Sequence, residues 1–162
     1  METVSESTPE TASKWRLDWD ESLSVYIPEI DSEHMHFIEL INGLNQSIIE
    51  RYGMEEIKSR LQSFLDDAAA HFAHEEALFK EWGYPDAEEH AKKHAQVTQA
   101  LREIMEDFKF NSTEYKLIDA GLKVKKALIE HILIEDTKYR DYHCASGDRS
   151  KGERCQPSLP IP

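Results

Sequence analysis

Apolar residues recur by threes and fours along four stretches of the 162-residue chain. That period places them on one face of a helix. The first stretch carries Phe37, Ile38, Ile41, Leu44 and Ile48. It predicts a helix capped by Asp31 or Ser32, running to about Tyr52 and ended by Gly53. The second runs from about Met54 to Trp82, through Ile57, Leu61, Phe64, Ala68, His71, Glu75 and Leu78. A Gly83-Tyr84-Pro85 turn follows. The third starts near Pro85 and Asp86, runs to about Lys109 and carries His90, His94, Val97, Leu101, Ile104 and Phe108. Thr113 is the cap expected for a fourth helix over about 114–142, with Leu117, Gly121, Val124, Leu128, His131 and Ile132 inward. No stretch alternates as a strand would. The fold class expected is all-α, an antiparallel up-down-up-down four-helix bundle over residues 15–142. Within it, Trp15, Trp19, Val25 and Ile27 belong to an N-terminal arm docked on the core. Residues 1–14 read as disordered by composition, and 143–162 as a tail rich in Gly, Ser and Pro.

Charge removes several functions. The formal net charge is −13. Phosphates would be repelled, so nucleic acid is not an expected partner. No apolar run approaches membrane-spanning length, and residues 1–14 show no signal peptide. Cys144 and Cys155, the two cysteines, lie in the polar tail. Reduced thiols in a cytoplasmic protein are the expectation. Apolar residues expected outside, such as Ile49, are scattered, so a monomer is expected.

Chemistry enters through the polar members of the apolar stripes. His71 and Glu75 stand four apart, as do His90 and His94, so each pair aims two donors at one place. His34 begins the first stripe and His131 lies late in the fourth. Five of the eight histidines thus point inward, while His36, His74 and Glu76 fall beside the stripes as surface residues. An apolar core offers few hydrogen-bond partners for five imidazoles, and a metal satisfies them all. In an antiparallel bundle these positions fall at one level. Imidazole with carboxylate suits iron, zinc, manganese or copper. Five imidazoles exceed one tetrahedral site and suit two octahedral ions bridged by carboxylates. Glu75 is one bridge. The other is Glu135 or Asp136. Spacing favours Glu135, four residues after His131, because a residue five on sits about 140° around an ideal helix.

These residues resemble the hemerythrin family, in its single-domain bacterial form. The motifs are Trp19 with Ser24-Val25, Ile30-Asp31-x-x-His34, His71-Phe72-x-x-Glu75-Glu76, Gly83-Tyr84-Pro85, His90-x-x-x-His94 and His131-Ile132-x-x-x-Asp136. The resemblance implies Asp136, not Glu135, as the second bridge. It also implies that His90, His94 and His131 hold one iron, and His34 and His71 the other. The cofactor implied is two iron ions, Fe2+ or Fe3+, bridged by an oxo or hydroxo group and two carboxylates. The function implied is reversible dioxygen binding, with dioxygen held as hydroperoxide on the five-coordinate iron. Transport, storage or delivery to an oxygen-consuming enzyme all fit that. Ile38, Phe72 and Leu128, beside the ligands, are the expected pocket walls. The family often has glycine at Tyr26, glutamine at Glu33 and tryptophan at Ala127.

Two alternatives stand beside this reading. A di-iron oxidase or peroxidase would use mostly carboxylates with Glu-x-x-His pairs, and this chain has five inward histidines. An enzyme is therefore not expected, beyond a weak oxidase or peroxidase side activity. An oxygen or redox sensor is the other, with the two tail cysteines as its sharpest feature.

Overall fold

The computed structural model describes residues 16–108, 113–146 and Cys155. Among the described residues five α-helices follow one another: α1 Pro28–Ile49, α2 Met54–Trp82, α3 Ala87–Asp107, α4 Glu114–Glu130 and α5 Thr137–Ser146. A π-helical segment, His131–Asp136, joins α4 to α5, so the expected fourth helix is one rod with a widened middle. Among the described residues there is no strand. α1 packs on α2 and α4, and α3 on α2 and α4, which closes a four-membered bundle.

The elements form where capping and patterning say they should, with one instructive difference. α1 begins at Pro28, three residues before the expected cap. Proline fits a first helical position because its missing N–H has no helical partner there. Asp31 is released from capping and is fully buried. Its carboxylate accepts the Ser24 hydroxyl at 2.5 Å and the Val25 N–H at 2.8 Å. It thus ties the arm to the first turn of α1. Tyr26, inside that arm, has φ 62°, which explains why glycine suits this position. The Arg140 guanidinium lies 5.2 Å from the centre of its ring and covers it.

Thr113 caps α4 as expected, accepting the Lys116 N–H. At the other turn Gly83 takes φ 65°, and the Tyr84 N–H returns to the Phe79 carbonyl. A left-handed residue here reverses the chain and stacks α3 back on α2. Gly121 lets α4 approach α1 closely, since a Cβ there would collide with the Asn45 side chain.

The core has two parts. The larger follows Phe37, Ile41, Leu44, Ile57, Leu61, Phe64, Leu101 and Val124 along the bundle. The smaller gathers Val25, Ile27, Ile30, Phe79, Tyr84 and Tyr139 at the end where the arm, the Gly83 turn and α5 meet. The polar cluster lies between them. No described helix is long and apolar enough to cross a membrane. The expectations for residues 1–14, Trp15 and most of the tail lie outside the described residues. Within the tail, the helix runs on to Ser146, and Cys144 is joined to Cys155 in a disulfide. That corrects the expectation of two reduced thiols.

Candidate metal centre

All seven residues expected to converge do so. His34 from α1, His71 and Glu75 from α2, His90 and His94 from α3, and His131 and Asp136 from the π segment are all buried. They form two overlapping groups. Glu75, His90, His94, His131 and Asp136 make one; His34, His71, Glu75 and Asp136 make the other. Within each group one donor atom per residue lies within 4.8 Å of all the others.

The two carboxylates belong to both groups, and each divides its oxygens between them. Glu75 turns Oε2 to His94 Nε2 at 2.9 Å and His90 Nε2 at 3.7 Å. Its Oε1 faces His71 Nε2 at 3.4 Å and His34 Nε2 at 4.0 Å. Asp136 turns Oδ1 to His131 at 3.1 Å and His90 at 3.2 Å, and Oδ2 to His34 at 3.3 Å.

The π segment is what admits Asp136. An α-helix would carry a residue five beyond His131 away from the cluster. A π turn bonds residue i to i+5 and brings that residue back over it. Glu135, favoured by simple spacing, instead pairs with Lys138 at 2.9 Å. Spacing alone favours Glu135, and the geometry instead brings Asp136, the residue that the resemblance implies, into the cluster. Asp136 reaches the cluster through the wider turn of the π segment, which spacing rules for ordinary helices do not contain.

Burial and charge compete inside the cluster. Burial lowers the His71 pKa, but Glu75 and Glu33 outweigh it and lift the value from 6.5 to about 10. Burial likewise depresses His90, while Asp136 and Glu75 raise it to about 9. Burial raises Glu75, yet the surrounding imidazoles hold it well below the usual range. Asp136 is raised by burial and by Glu75, and His131, His34 and His90 bring it below the ordinary carboxylate value. Without a metal, protons on His71 and His90 offset the charge of the two buried carboxylates.

Protons leave the cluster badly satisfied. The Nε2 atoms of His34, His90 and His131, and both carboxylate oxygens of Asp136, are buried without a hydrogen bond. Nitrogen and oxygen lone pairs aimed at a common centre are what a cation requires. The donor set therefore fits a metal, and its histidine-rich composition suits a transition metal such as iron.

Outer partners hold the rings. His71 Nδ1 donates to Glu33 Oε2 at 2.5 Å, and His74 Nδ1 to Glu33 Oε1 at 2.6 Å. His94 Nδ1 donates to Glu76 Oε1 at 2.8 Å. Each bond fixes the tautomer that leaves Nε2 free for a metal. The Tyr139 hydroxyl donates to Glu75 Oε1 at 2.5 Å. Sequence reasoning placed His74 and Glu76 on the surface without a role and did not single out Tyr139. The available signal was spacing: Glu76 adjoins Glu75, and Tyr139 follows Asp136 by three. His36 is exposed, as expected, and pairs with Asp67 at 3.0 Å.

Of the expected walls, Phe72 stacks on His94 with ring centres 4.1 Å apart and lies 5.6 Å from His131. Phe72 and Leu128 line a small apolar cavity with Phe37, Phe64, Val97 and Leu101. Ile38 is buried but lines the groove between the arm and α1.

A helical bundle with this buried histidine-carboxylate cluster defines a metal-binding four-helix protein. Residues 25–142 match the family model described as the hemerythrin HHE cation binding domain. The chain belongs to the hemerythrin family. It is similar to a bacteriohemerythrin of Stenotrophomonas maltophilia (strain R551-3), 28% identical over 127 residues, covering 77% of this chain and 80% of the relative. A bacteriohemerythrin of Pseudomonas aeruginosa (strain LESB58) is 29% identical over 131 residues, covering 77% and 80%. A myohemerythrin of Theromyzon tessulatum is 26% identical over 123 residues, covering 75% and 89%.

Proposed function

We propose that the chain holds two iron ions and binds dioxygen reversibly, as a carrier rather than an enzyme. One observation carries this reading: Glu75 and Asp136 each divide two oxygens between a three-histidine and a two-histidine group. His90, His94 and His131 would complete one iron, and His34 and His71 the other, which is left one protein ligand short. A ferrous pair with one such open position supplies two-electron, reversible dioxygen binding.

The protein's own residues do the rest. Glu33 and Glu76 hold His71 and His94 with Nε2 turned inward. Tyr139 holds Glu75 Oε1. Phe37, Phe72 and Leu128 keep water from the open side, limiting proton entry that would release peroxide. Five imidazoles against two carboxylates support carriage over substrate oxidation, because imidazole is the weaker electron donor to ferric iron. Within carriage we include transport, storage and delivery to an oxygen-consuming enzyme.

The test is anaerobic loading with ferrous iron followed by air. Two irons per chain and a visible charge-transfer band, lost again on deoxygenation, are expected. Irreversible bleaching with release of peroxide would instead establish an oxidase.

A further inference from the structure

The rings around the cluster differ in kind on its two sides. Against His71 stand Phe37 at 5.1 Å and Phe72 at 5.8 Å, and Phe72 also covers His94 and His131. Phenylalanine gives up an electron far less readily than tyrosine or tryptophan. Against His90 stand Phe79 at 4.8 Å and Tyr139 at 5.5 Å. Among these ring contacts of the described residues, Tyr139 alone is readily oxidised.

Tyr139 is also the ring that leads outward. It is completely buried, and its centre lies 6.1 Å from that of Trp82. Phe79 fills the angle between them, 4.9 Å from Tyr139 and 6.2 Å from Trp82. All these separations are those of packed aromatic pairs. Trp82 is half-buried at the end of α2, and His143 of α5 stacks on it at 4.3 Å. The Tyr142 hydroxyl approaches the Trp82 carbonyl at 3.3 Å. Two oxidisable rings thus connect the cluster to the surface at the α2–α5 end, and the inner one touches a cluster carboxylate.

We propose that Tyr139 and Trp82 form an electron-transfer path between the metal centre and a reductant at the surface. This rests on the di-iron reading above. The oxidant is hydrogen peroxide, the product expected when bound dioxygen is lost by the wrong route. Oxidation of Tyr139 sends one electron to the metal centre, while its phenolic proton stays within the existing hydrogen bond, shared between the phenol oxygen and Glu75 Oε1, so the carboxylate keeps its place. Trp82 returns one electron to the oxidised ring, and the proton settles back on the phenol oxygen. The electron missing from Trp82 is replaced by a soluble one-electron donor of the enediol class, such as ascorbate. Two passes supply two electrons, and the enediol releases one proton with each; with these, one hydrogen peroxide becomes two waters. The path discharges peroxide without damage to the ligands.

The experiment uses the full-length, iron-loaded protein and hydrogen peroxide, with freeze-quench electron paramagnetic resonance. The native chain is expected to give a tyrosyl radical that ascorbate removes quickly. Tyr139→Phe is expected to lose that signal. Trp82→Phe leaves every cluster residue in place, so iron content and the oxygen band should be unchanged. Its tyrosyl radical should survive ascorbate several-fold longer. Peptide mass spectrometry of native protein treated without ascorbate should find oxygen added at Trp82. Radical yield and decay indistinguishable from native in both variants would overturn the path, as would a signal arising instead from exposed Tyr115. The oxygen band, read in the same samples, separates this outcome from failure of the di-iron reading: no band in native protein sinks the latter, while a band without a Tyr139-dependent radical sinks only the path.

Discussion

Glu33 shows how much a single side chain decides. One carboxylate accepts from both His71 and His74, and it is only partly covered from solvent. Burial raises its pKa, but bonds from His71 and His74 outweigh this and keep it ionised. A negative partner makes the His71 ring a stronger ligand and fixes which nitrogen faces inward. Removing such a partner costs about 10–100-fold in metal affinity. Glu33→Ala should therefore weaken the ion held by His34 and His71 and spare the three-histidine ion. Chelator competition on iron-loaded protein would resolve this as one loosened equivalent out of two. Uniform loosening of both would refute a role confined to His71.

At the scale of elements, the π segment His131–Asp136 brings the second shared carboxylate, Asp136, into the cluster. Such segments are uncommon within α-helices and often occur at functional sites. The competing carboxylate, Glu135, is bound to Lys138 outside the cluster. Asp136→Asn should abolish stable binding of the iron pair, because it replaces the fully buried charge shared by both groups. Glu135→Gln should bind two irons as the native chain does, losing only an ion pair that is worth about 1 kcal/mol or less. Iron analysis after gel filtration distinguishes them. Equal loss in both variants would mean that the backbone places Glu135 as the ligand.

Across the whole molecule, the cluster couples metal, protons and folding. In the metal-free protein His71 and His90 are raised from 6.5 to about 10 and about 9. Groups raised on folding stabilise fully below their unfolded value, and that contribution disappears as pH rises through the folded value. Glu75 and Asp136 are lowered, so their contribution holds above the ordinary 4.5 and 3.8 and is lost on acidification. Metal-free protein should thus be most stable between roughly pH 4.5 and 6.5 and weaken steadily towards about pH 10. Iron replaces the protons, so loaded protein should not weaken over that alkaline range, and its iron affinity should fall as pH falls. Urea midpoints of both forms across this range provide the check. Parallel curves would show that protons and metal do not share these sites.

The sequence by itself determined the helical rods, their turns and the histidines that face inward, because those depend on local periodicity and on residues such as Gly83 and Thr113. It also supplied six of the seven converging residues by ordinary helical spacing: His34, His71, Glu75, His90, His94 and His131. The seventh separated two kinds of knowledge: spacing pointed to Glu135, while resemblance to a family pattern pointed to Asp136. Only the tertiary structure decided how the helix reaches Asp136, since widening a turn is favoured by what packs around it and not by the segment alone. The same holds for the Tyr139 bond to Glu75, the sharing of Glu33 by two rings and the pairing of Cys144 with Cys155. Each joins residues far apart around a helix or along the chain, and local pattern carries no record of such meetings.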